Sequence, residues 1–154
     1  VWFVLHSNPG PLADWAENCD IGDNVAVWGP RSSYNPPKDI VQYVFIADET
    51  AQPAVLSCIE NLNGEKYIGI FETKNKQYEY DLKGISDHIN WIYRDDFDQQ
   101  NEDLENEIVS LVKKDENTYI FGAGEGKRML TLRRALKEKG FSTKETNLIG
   151  YWKK

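Results

Sequence analysis

The chain has 154 residues and a formal net charge of −7, and 40% of its residues are hydrophobic while 28% are charged. This length suits one domain with its own core, or one domain with part of another, and the longest apolar runs are too short to span a membrane. The two cysteines and two histidines lack the spacing of a disulfide scaffold, a zinc site or another metal cluster.

The N-terminal residues predict the interior of a β-strand. Residues 1–6 are rich in β-branched and aromatic side chains, and they begin at Val1 without a methionine or the basic start of a signal peptide. We therefore expect the chain to be a fragment whose missing upstream part pairs with this strand. A strand left without that partner could pair with a second copy, which predicts an edge-mediated dimer.

A turn leading into a short helix is expected at residues 10–16, because a proline stands early and apolar residues follow. Residues 25–28 predict a short strand. Residues 32–38 are rich in turn-forming types and mark a domain boundary. We therefore assign residues 1–37 to one domain and residues 38–154 to a second.

Strands and helices alternate after this boundary. Continuous apolar runs predict strands buried on both faces, and apolar residues at helical spacing predict helices. Such alternation predicts an α/β fold with a mostly parallel sheet, whereas the first 37 residues look like the end of an antiparallel barrel. The predicted strands are 43–47, 66–71, 89–93, 118–121 and 147–151, with a short extended piece at 78–80, and the predicted helices are 48–63, 101–114 and 125–139.

Charge is unevenly distributed along the chain. Residues 127–154 contain nine Lys and Arg against two Asp and Glu, whereas the remainder contains nine against 23. A basic end on an acidic body attracts anionic ligands, but it also fits a solvated helix whose cations lie near its C-terminus; both interpretations stay open. Nucleic acid is not expected as a partner, because the basic stretch is short and the chain is acidic.

Two predicted strand ends are candidate ligand sites, since ligands of doubly wound sheets bind beyond the carboxyl ends of the strands. They are Ala47–Pro53 and Phe121–Gly126, and each opens a predicted helix. Backbone N–H groups at a helix N-terminus can hold phosphate. The same segments also fit plain helix-entry turns in which Asp48 and Glu49 cap a helix and repel phosphate. Neither matches the standard dinucleotide or P-loop glycine pattern.

Other classes of site have little support. The serines lack the nucleophile-elbow context and no Cys–His pair can be placed, so a hydrolase is not expected. The acidic stretch from Asp95 to Glu107 lacks calcium-loop spacing. The aromatic residues Tyr151 and Trp152 fit either a ligand platform or the end of a core strand. We expect no metal ligand and no catalytic acid, base or nucleophile.

The combined motifs resemble the siderophore-interacting proteins, including the vibriobactin-utilisation type, over essentially the whole chain. In the second domain they are Ala-Asp-Glu-Thr-Ala-Gln-Pro-Ala-Val at 47–55, Gly-Ala-Gly-Glu at 122–125, Arg133-Arg134 and Gly150-Tyr151-Trp152. Upstream they are His6, Gly10-Pro11, Trp15-Ala16, Gly22-Asp23 and Gly29-Pro30-Arg31.

The resemblance implies a ferredoxin-reductase-like architecture with an antiparallel FAD-binding barrel followed by an α/β nucleotide-binding domain. It also implies a cytoplasmic ferric-siderophore reductase, in which electrons from NAD(P)H, or from ferredoxin in some members, pass through FAD to Fe(III). Reduction weakens the hold of the siderophore's oxygen ligands, so that iron leaves as Fe(II).

The resemblance also assigns site residues. The nicotinamide nucleotide is expected at Asp48, Glu49, Thr50, Pro53, Gly122, Ala123, Gly124 and Glu125, and the flavin beside Gly10, Pro11 and Arg31. Candidates for the ferric siderophore, or for the NADP phosphate, are Lys127, Arg128, Arg133, Trp152, Lys153 and Lys154.

The chain departs from the family pattern at several positions. Ala13 stands near the place of a small hydroxyl residue that could bond the flavin diphosphate, Asp14 stands where a basic residue is common, and Gln52 replaces an apolar residue. Most of the barrel and its flavin motif are absent, so we expect the chain alone to bind FAD weakly or not at all. The rival interpretation is a binding module that leaves the nucleotide site unused and docks a ferredoxin or shapes the siderophore pocket. A flavoreductase of the same fold with another acceptor is a third.

Overall fold

The computed structural model describes Leu5 and residues 10–29, 34–97, 103–114 and 117–153. The chain divides into two compact units, Val1–Asn35 and Pro36–Lys154. The strand predicted at residues 1–6, and with it the edge-mediated dimer, lies outside the described residues apart from Leu5.

The first unit contains one helix, α1 (Pro11–Asn18), within its described part. Gly10 is its N-cap in an extended conformation and Pro11 occupies the first turn, where a missing N–H costs nothing. The strand predicted at residues 25–28 is wrong: residues 23–29 have no regular secondary structure, and Val27 and Trp28 are 80% and 93% exposed. A strand forms only where a neighbour accepts and donates its backbone hydrogen bonds.

The second unit is a five-stranded sheet with the order β3-β2-β1-β4-β5, and all its strand pairs are parallel. It confirms the predicted α/β fold with a mostly parallel sheet. Its elements are β1 (Gln42–Ala47), α2 (Gln52–Glu60), β2 (Lys66–Thr73), β3 (Ile89–Tyr93), α3 (Asp103–Leu111), β4 (Thr118–Glu125), α4 (Gly126–Glu138) and β5 (Thr146–Trp152).

The core lies on both faces of the central strands, which explains why those strands are continuous apolar runs. On one face of β1, Val44 and Ile46 belong to a buried cluster with residues of α3 and α4, among them Ile108 and Leu132. On the other face, the ring of Phe45 packs against aromatic neighbours from β1, β2 and β4. Burial on both faces makes β1 and its neighbours the rigid frame on which the strand ends are held.

Some element boundaries differ from prediction. The helix expected from residue 48 begins only at Gln52, because the Asp48 carboxylate accepts hydrogen bonds from both the N–H and the hydroxyl of Thr50 and holds the intervening residues in a turn. Helix α3 ends at Leu111, so Lys113 and Lys114 lie beyond its last turn. Tyr78, the first residue of the extended piece expected at 78–80, instead ends a 3₁₀ turn (Lys76–Tyr78).

The largest difference concerns the glycine-rich segment after residue 121. We expected a turn there, but β4 continues through Gly122 and Ala123 to Glu125. Gly122 and Ala123 are paired on both sides, with β1 and with β5, and Gly124 and Glu125 are paired with β5. Two neighbouring strands therefore keep this segment extended, although its composition favours a turn.

Low pH should weaken an ion pair at the amino edge of the sheet, where the parallel strands begin. Lys114 donates a hydrogen bond to Glu145 and, with bonds from Ser142, lowers the pKa of Glu145 to about 2 from the ordinary 4.5. A depressed carboxyl pKa stabilises the fold above about pH 4.5 and loses this effect as pH falls toward 2. Because both side chains are about one-third exposed, the contribution is at most about 1 kcal/mol.

The variant Lys114→Met tests this contribution. Its denaturant midpoint should lie below that of the wild type at pH 6, and the two midpoints should converge as pH falls to 3. Lys113→Met, a change of the adjacent exposed lysine, should follow the wild type throughout. A difference between Lys114→Met and the wild type that stays constant with pH would count against this titration.

Candidate functional site

The carboxyl ends of all five strands meet at one edge of the sheet, as parallel pairing requires. This edge carries most of the polar side chains that follow the buried strands. They include Asp48 and Glu49 after β1, Glu72 and Thr73 at the end of β2, Arg94 after β3, Glu125 at the end of β4 and Trp152 at the end of β5.

Asp48 is a buried acid at this edge, with 4% of its surface exposed. A buried carboxylate must be satisfied by hydrogen bonds. Its Oδ1 accepts from the N–H and the hydroxyl of Thr50, at 2.9 and 2.6 Å, and its Oδ2 accepts from the indole N–H of Trp152 at 2.8 Å. Both oxygens of Asp48 are therefore engaged within the protein.

Glycine is required beside this carboxylate. A Cβ on Gly124 would lie 2.7 Å from Oδ2 of Asp48, which is closer than real contacts allow. A Cβ on Gly150 would lie 2.9 Å from the Cα of Gly126, so the end of β5 and the start of α4 touch through bare backbone. These glycines permit close packing of the strand ends, a role that composition alone does not separate from ligand binding.

A chain of ion pairs crosses the same edge. Arg94 donates to both oxygens of Glu49, at 2.8 and 2.5 Å, and to Glu72 at 3.0 Å. Arg128 also donates to Glu72, and its Nε donates to Glu105 at 3.1 Å. The network thus links residues beside β1, β2 and β3 with the helices α3 and α4.

The network shifts the pKa values of Glu49, Arg94 and Arg128 toward their charged forms. Burial alone would raise the pKa of Glu49, but the hydrogen bonds and charge of Arg94 outweigh it and lower that pKa. Burial would likewise lower the pKa of Arg94 and Arg128, but the hydrogen bonds and charges of the facing carboxylates raise it. Glu49, Arg94 and Arg128 are therefore ionised at neutral pH.

Three members of this network, Glu72, Arg94 and Glu105, were not predicted from the sequence. One signal was present: Arg94 is a lone cation directly after a predicted strand and before an acidic stretch. Glu72 gave no such signal, because an acid at the end of an apolar run also fits a solvated strand end. Its burial depends on two arginines from distant segments.

A cleft of about 830 Å³ lies beside this edge, between the first half of α4 and the end of β5. Its basic side chains are Lys127, Arg133 and Lys153, and its apolar ones are Met129 and Leu130. The bare backbone of the touching glycines Gly126 and Gly150 also lines it. The cleft therefore combines positive charge with apolar surface.

Two charged groups of the cleft are already held by the protein. Glu125 is the N-cap of α4, where its carboxylate accepts from the N–H groups of Lys127 and Arg128. Arg133 donates to the carbonyl of Leu148. An anion in the cleft would therefore be held chiefly by the cationic side chains, since the helix N-terminus is occupied by Glu125.

The structure separates the residues predicted to bind nucleotide. Gly122 and Ala123 are buried inside β4, so Glu125 is the member of that segment that reaches solvent. Thr50 is half-buried at the turn, and Pro53 lies in the first turn of α2. The two segments do come together at one edge, through the approach of Asp48 to Gly124. Their binding of a nucleotide stays a prediction.

The residues predicted to bind substrate also lie in different parts of the structure. Lys127, Arg133 and Lys153 share the cleft, whereas Arg128 takes part in the ion-pair network. The Trp152 indole is 42% exposed. Gly10 and Pro11 are exposed at the start of α1 in the first unit, while Arg31 and Lys154 lie outside the described residues.

The part of the chain that the structure describes lacks two kinds of feature. No group of three or more His, Cys, Asp or Glu side chains there is arranged to hold a metal ion. None of the helices described is long and apolar enough to cross a membrane.

Comparison with protein families gives two matches that together cover most of the chain. Residues 40–154 match the family model described as siderophore-interacting protein. Residues 1–34 match the model described as siderophore-interacting FAD-binding domain.

Individual relatives agree with these matches. The chain is 22% identical over 157 residues to the NADPH-dependent ferric-chelate reductase of Escherichia coli, covering 97% of the chain and 59% of that protein. It is 22% identical to the ferric acinetobactin reductase of Acinetobacter baumannii, covering 98% of the chain and 54% of that protein. The chain therefore spans little more than half the length of these curated relatives.

Solved structures show the same likeness. A siderophore utilization protein from T. fusca superposes with a TM-score of 0.80 at 30% identity, covering 99% of the chain and 59% of that structure. A ferredoxin-NADP+ reductase from Plasmodium falciparum superposes with a TM-score of 0.61 at 18% identity, covering 92% of the chain and 65% of that structure. The second likeness shows the fold alone, and it is the fold expected from the sequence.

Proposed function

The chain belongs to the siderophore-interacting protein family, and from that premise we propose that it is part of a cytoplasmic ferric-siderophore reductase. Electrons would pass from NAD(P)H through FAD to a siderophore-bound Fe(III), which is released as Fe(II). Residues 1–37 would be the C-terminal part of the FAD-binding barrel domain, and residues 38–154 the domain that receives nucleotide and siderophore. The intact protein, rather than this chain alone, would carry the activity.

The described residues of the first unit fit FAD in one respect. Helix α1 begins at Gly10 and Pro11 with no side-chain cap, so its N-terminus offers backbone N–H groups and a positive dipole end to an anion. When bound, FAD supplies the two-electron chemistry, so that one NAD(P)H and two Fe(III) yield NAD(P)+, one proton and two Fe(II).

The observation that carries the proposal is the cleft between α4 and β5. Ferric siderophores with carboxylate or catecholate ligands are commonly anions, and the aromatic rings of catecholates add apolar surface. The cleft presents Lys127, Arg133 and Lys153 around Met129 and Leu130, in a volume of about 830 Å³. Its cations would attract such a chelate and its apolar wall would contact the ligand framework, as is usual in small-molecule sites. The exposed Trp152 would add an aromatic surface.

The ion-pair network supports a second candidate. At the β1 turn, both oxygens of Asp48 and both oxygens of Glu49 are engaged by protein donors. Two carboxylates at this turn would repel a nucleotide diphosphate. In this alternative, the unit receives the siderophore or docks a ferredoxin donor without binding NAD(P)H.

The test is an anaerobic experiment on the intact protein with FAD bound. NADPH should bleach the flavin absorbance, and a triply anionic ferric tris-catecholate should then restore it. If NADPH leaves the flavin oxidised but dithionite-reduced flavin is reoxidised by the chelate, the alternative donor replaces NAD(P)H in the proposal. If the reduced flavin does not react with the chelate, the proposed reductase activity is wrong.

A further inference from the structure

The hydrogen bond between Asp48 and Trp152 joins two strands that are not neighbours. Asp48 follows β1 and Trp152 ends β5, 104 positions later, and β4 lies between these strands in the sheet. The Trp152 indole therefore reaches across the end of β4 to the buried carboxylate.

Two local features make this reach possible. Gly124 has no side chain where the carboxylate lies, and a Cβ there would stand 2.9 Å from Cγ of Asp48. The pairing of β4 with β5 also shifts at this point: Gly124 pairs with Gly150, but Glu125 pairs with Trp152 and skips Tyr151. Such a bulge redirects the residues at a strand end. Both features lie where the indole crosses.

The Asp48 carboxylate is placed to accept hydrogen bonds from protein groups rather than to bind a ligand. It is 4% exposed, its Oδ1 is shared by two donors from Thr50, and its Oδ2 takes the Trp152 N–H at 2.8 Å. The indole, in contrast, stays 42% exposed. The next residue, Lys153, lines the cleft beside Gly126.

We propose that Asp48 is a positioning residue: by holding the Trp152 indole across the end of β4, it keeps the basic end of β5, including Lys153, beside the cleft. This role requires no contact of Asp48 with nucleotide or chelate. Its effect on chelate binding rests on the proposed function, whereas its effect on the indole does not.

The hydrogen bond can be tested with the indole N–H NMR signals of the intact, ¹⁵N-labelled flavoprotein. Trp152→Phe removes one signal and so identifies it. Asp48→Asn leaves a single acceptor oxygen for three donors, so a buried acceptor is lost. We therefore expect the Trp152 signal to shift upfield. Exchange of the indole proton with water should accelerate about tenfold or more. Trp91→Phe makes the same substitution in β3, the outer strand on the opposite side of the sheet from β5. It should remove a different signal and leave that of Trp152 unchanged.

Functional evidence comes from reoxidation of dithionite-reduced flavin by a ferric tris-catecholate. Asp48→Asn should raise the KM for the chelate about three- to tenfold with little change in kcat, since it loosens a binding surface and not the electron path. If Asp48 acts through Trp152, the double variant Asp48→Asn/Trp152→Phe should match Trp152→Phe alone, because the two effects are not additive. Trp91→Phe should keep the wild-type KM.

Two results would overturn the proposal: an unchanged Trp152 signal in Asp48→Asn, or additive effects in the double variant, which would give Asp48 a separate role. If wild-type reduced flavin does not react with the chelate, the proposed function fails. The indole signals then still decide whether Asp48 holds Trp152.

Discussion

Replacing Glu72 with alanine is expected to destabilise the sheet unit by about 3 kcal/mol, near the lower end of the range for breaking a buried ion pair. Glu72 is 4% exposed and accepts from both Arg94 and Arg128. Its removal leaves two guanidinium groups facing each other without the carboxylate between them. The lower end applies because each arginine keeps one other partner, Glu49 or Glu105.

The measurement is amide hydrogen exchange of Ile70 and Ile120 in the intact protein. Both residues are buried in sheet strands, so their slow exchange reports the opening of this unit alone. Glu49→Ala is the matched control, because Glu49 ends the same network but is partly exposed. It should cost about 1 kcal/mol or less. Equal costs for the two variants would mean that the arginines relax into solvent and that Glu72 does not organise the network.

Reversing two charges of the cleft is expected to reduce the rate of chelate reduction. The variant Lys127→Glu/Lys153→Glu should lower kcat/KM for a triply anionic ferric tris-catecholate about tenfold to a hundredfold, since clefts of one charge sign concentrate ligands of the opposite sign. A positively charged ferric hydroxamate should not be slowed. The effect should shrink between 50 and 500 mM salt because added ions screen the interaction.

The matched control for this variant is Lys137→Glu/Lys144→Glu, which changes net charge equally. Lys137 lies ten residues after Lys127 on α4, about 15 Å along the helix axis, and Lys144 precedes β5 at the amino edge. This control should lower kcat/KM less than about threefold, the part due to general steering. Equal losses in the two variants would show that the rate follows overall charge and would remove the cleft from the proposed function.

Much of the fold was predictable because it depends on local patterns. Continuous apolar runs such as 43–47 occur when a strand is buried on both faces, and such strands alternating with helices fit a parallel sheet. The two strand-end segments lie at one edge for the same reason, since the carboxyl ends of parallel strands meet at one edge of the sheet. The errors at residues 25–28 and 122–125 have a common cause: whether a segment is extended depended on which strands lie beside it.

Local residue patterns were enough to establish the alternation of elements, the acidic body with its basic end, and the family to which the motifs point. The partners of the charged residues became clear only from the arrangement of the strands and helices in space. The strand order β3-β2-β1-β4-β5 brings Glu72 between two arginines and carries Trp152 to Asp48. These pairs are separated by 22 to 104 positions. No local period encodes such pairs, because each depends on the packing of several elements at once.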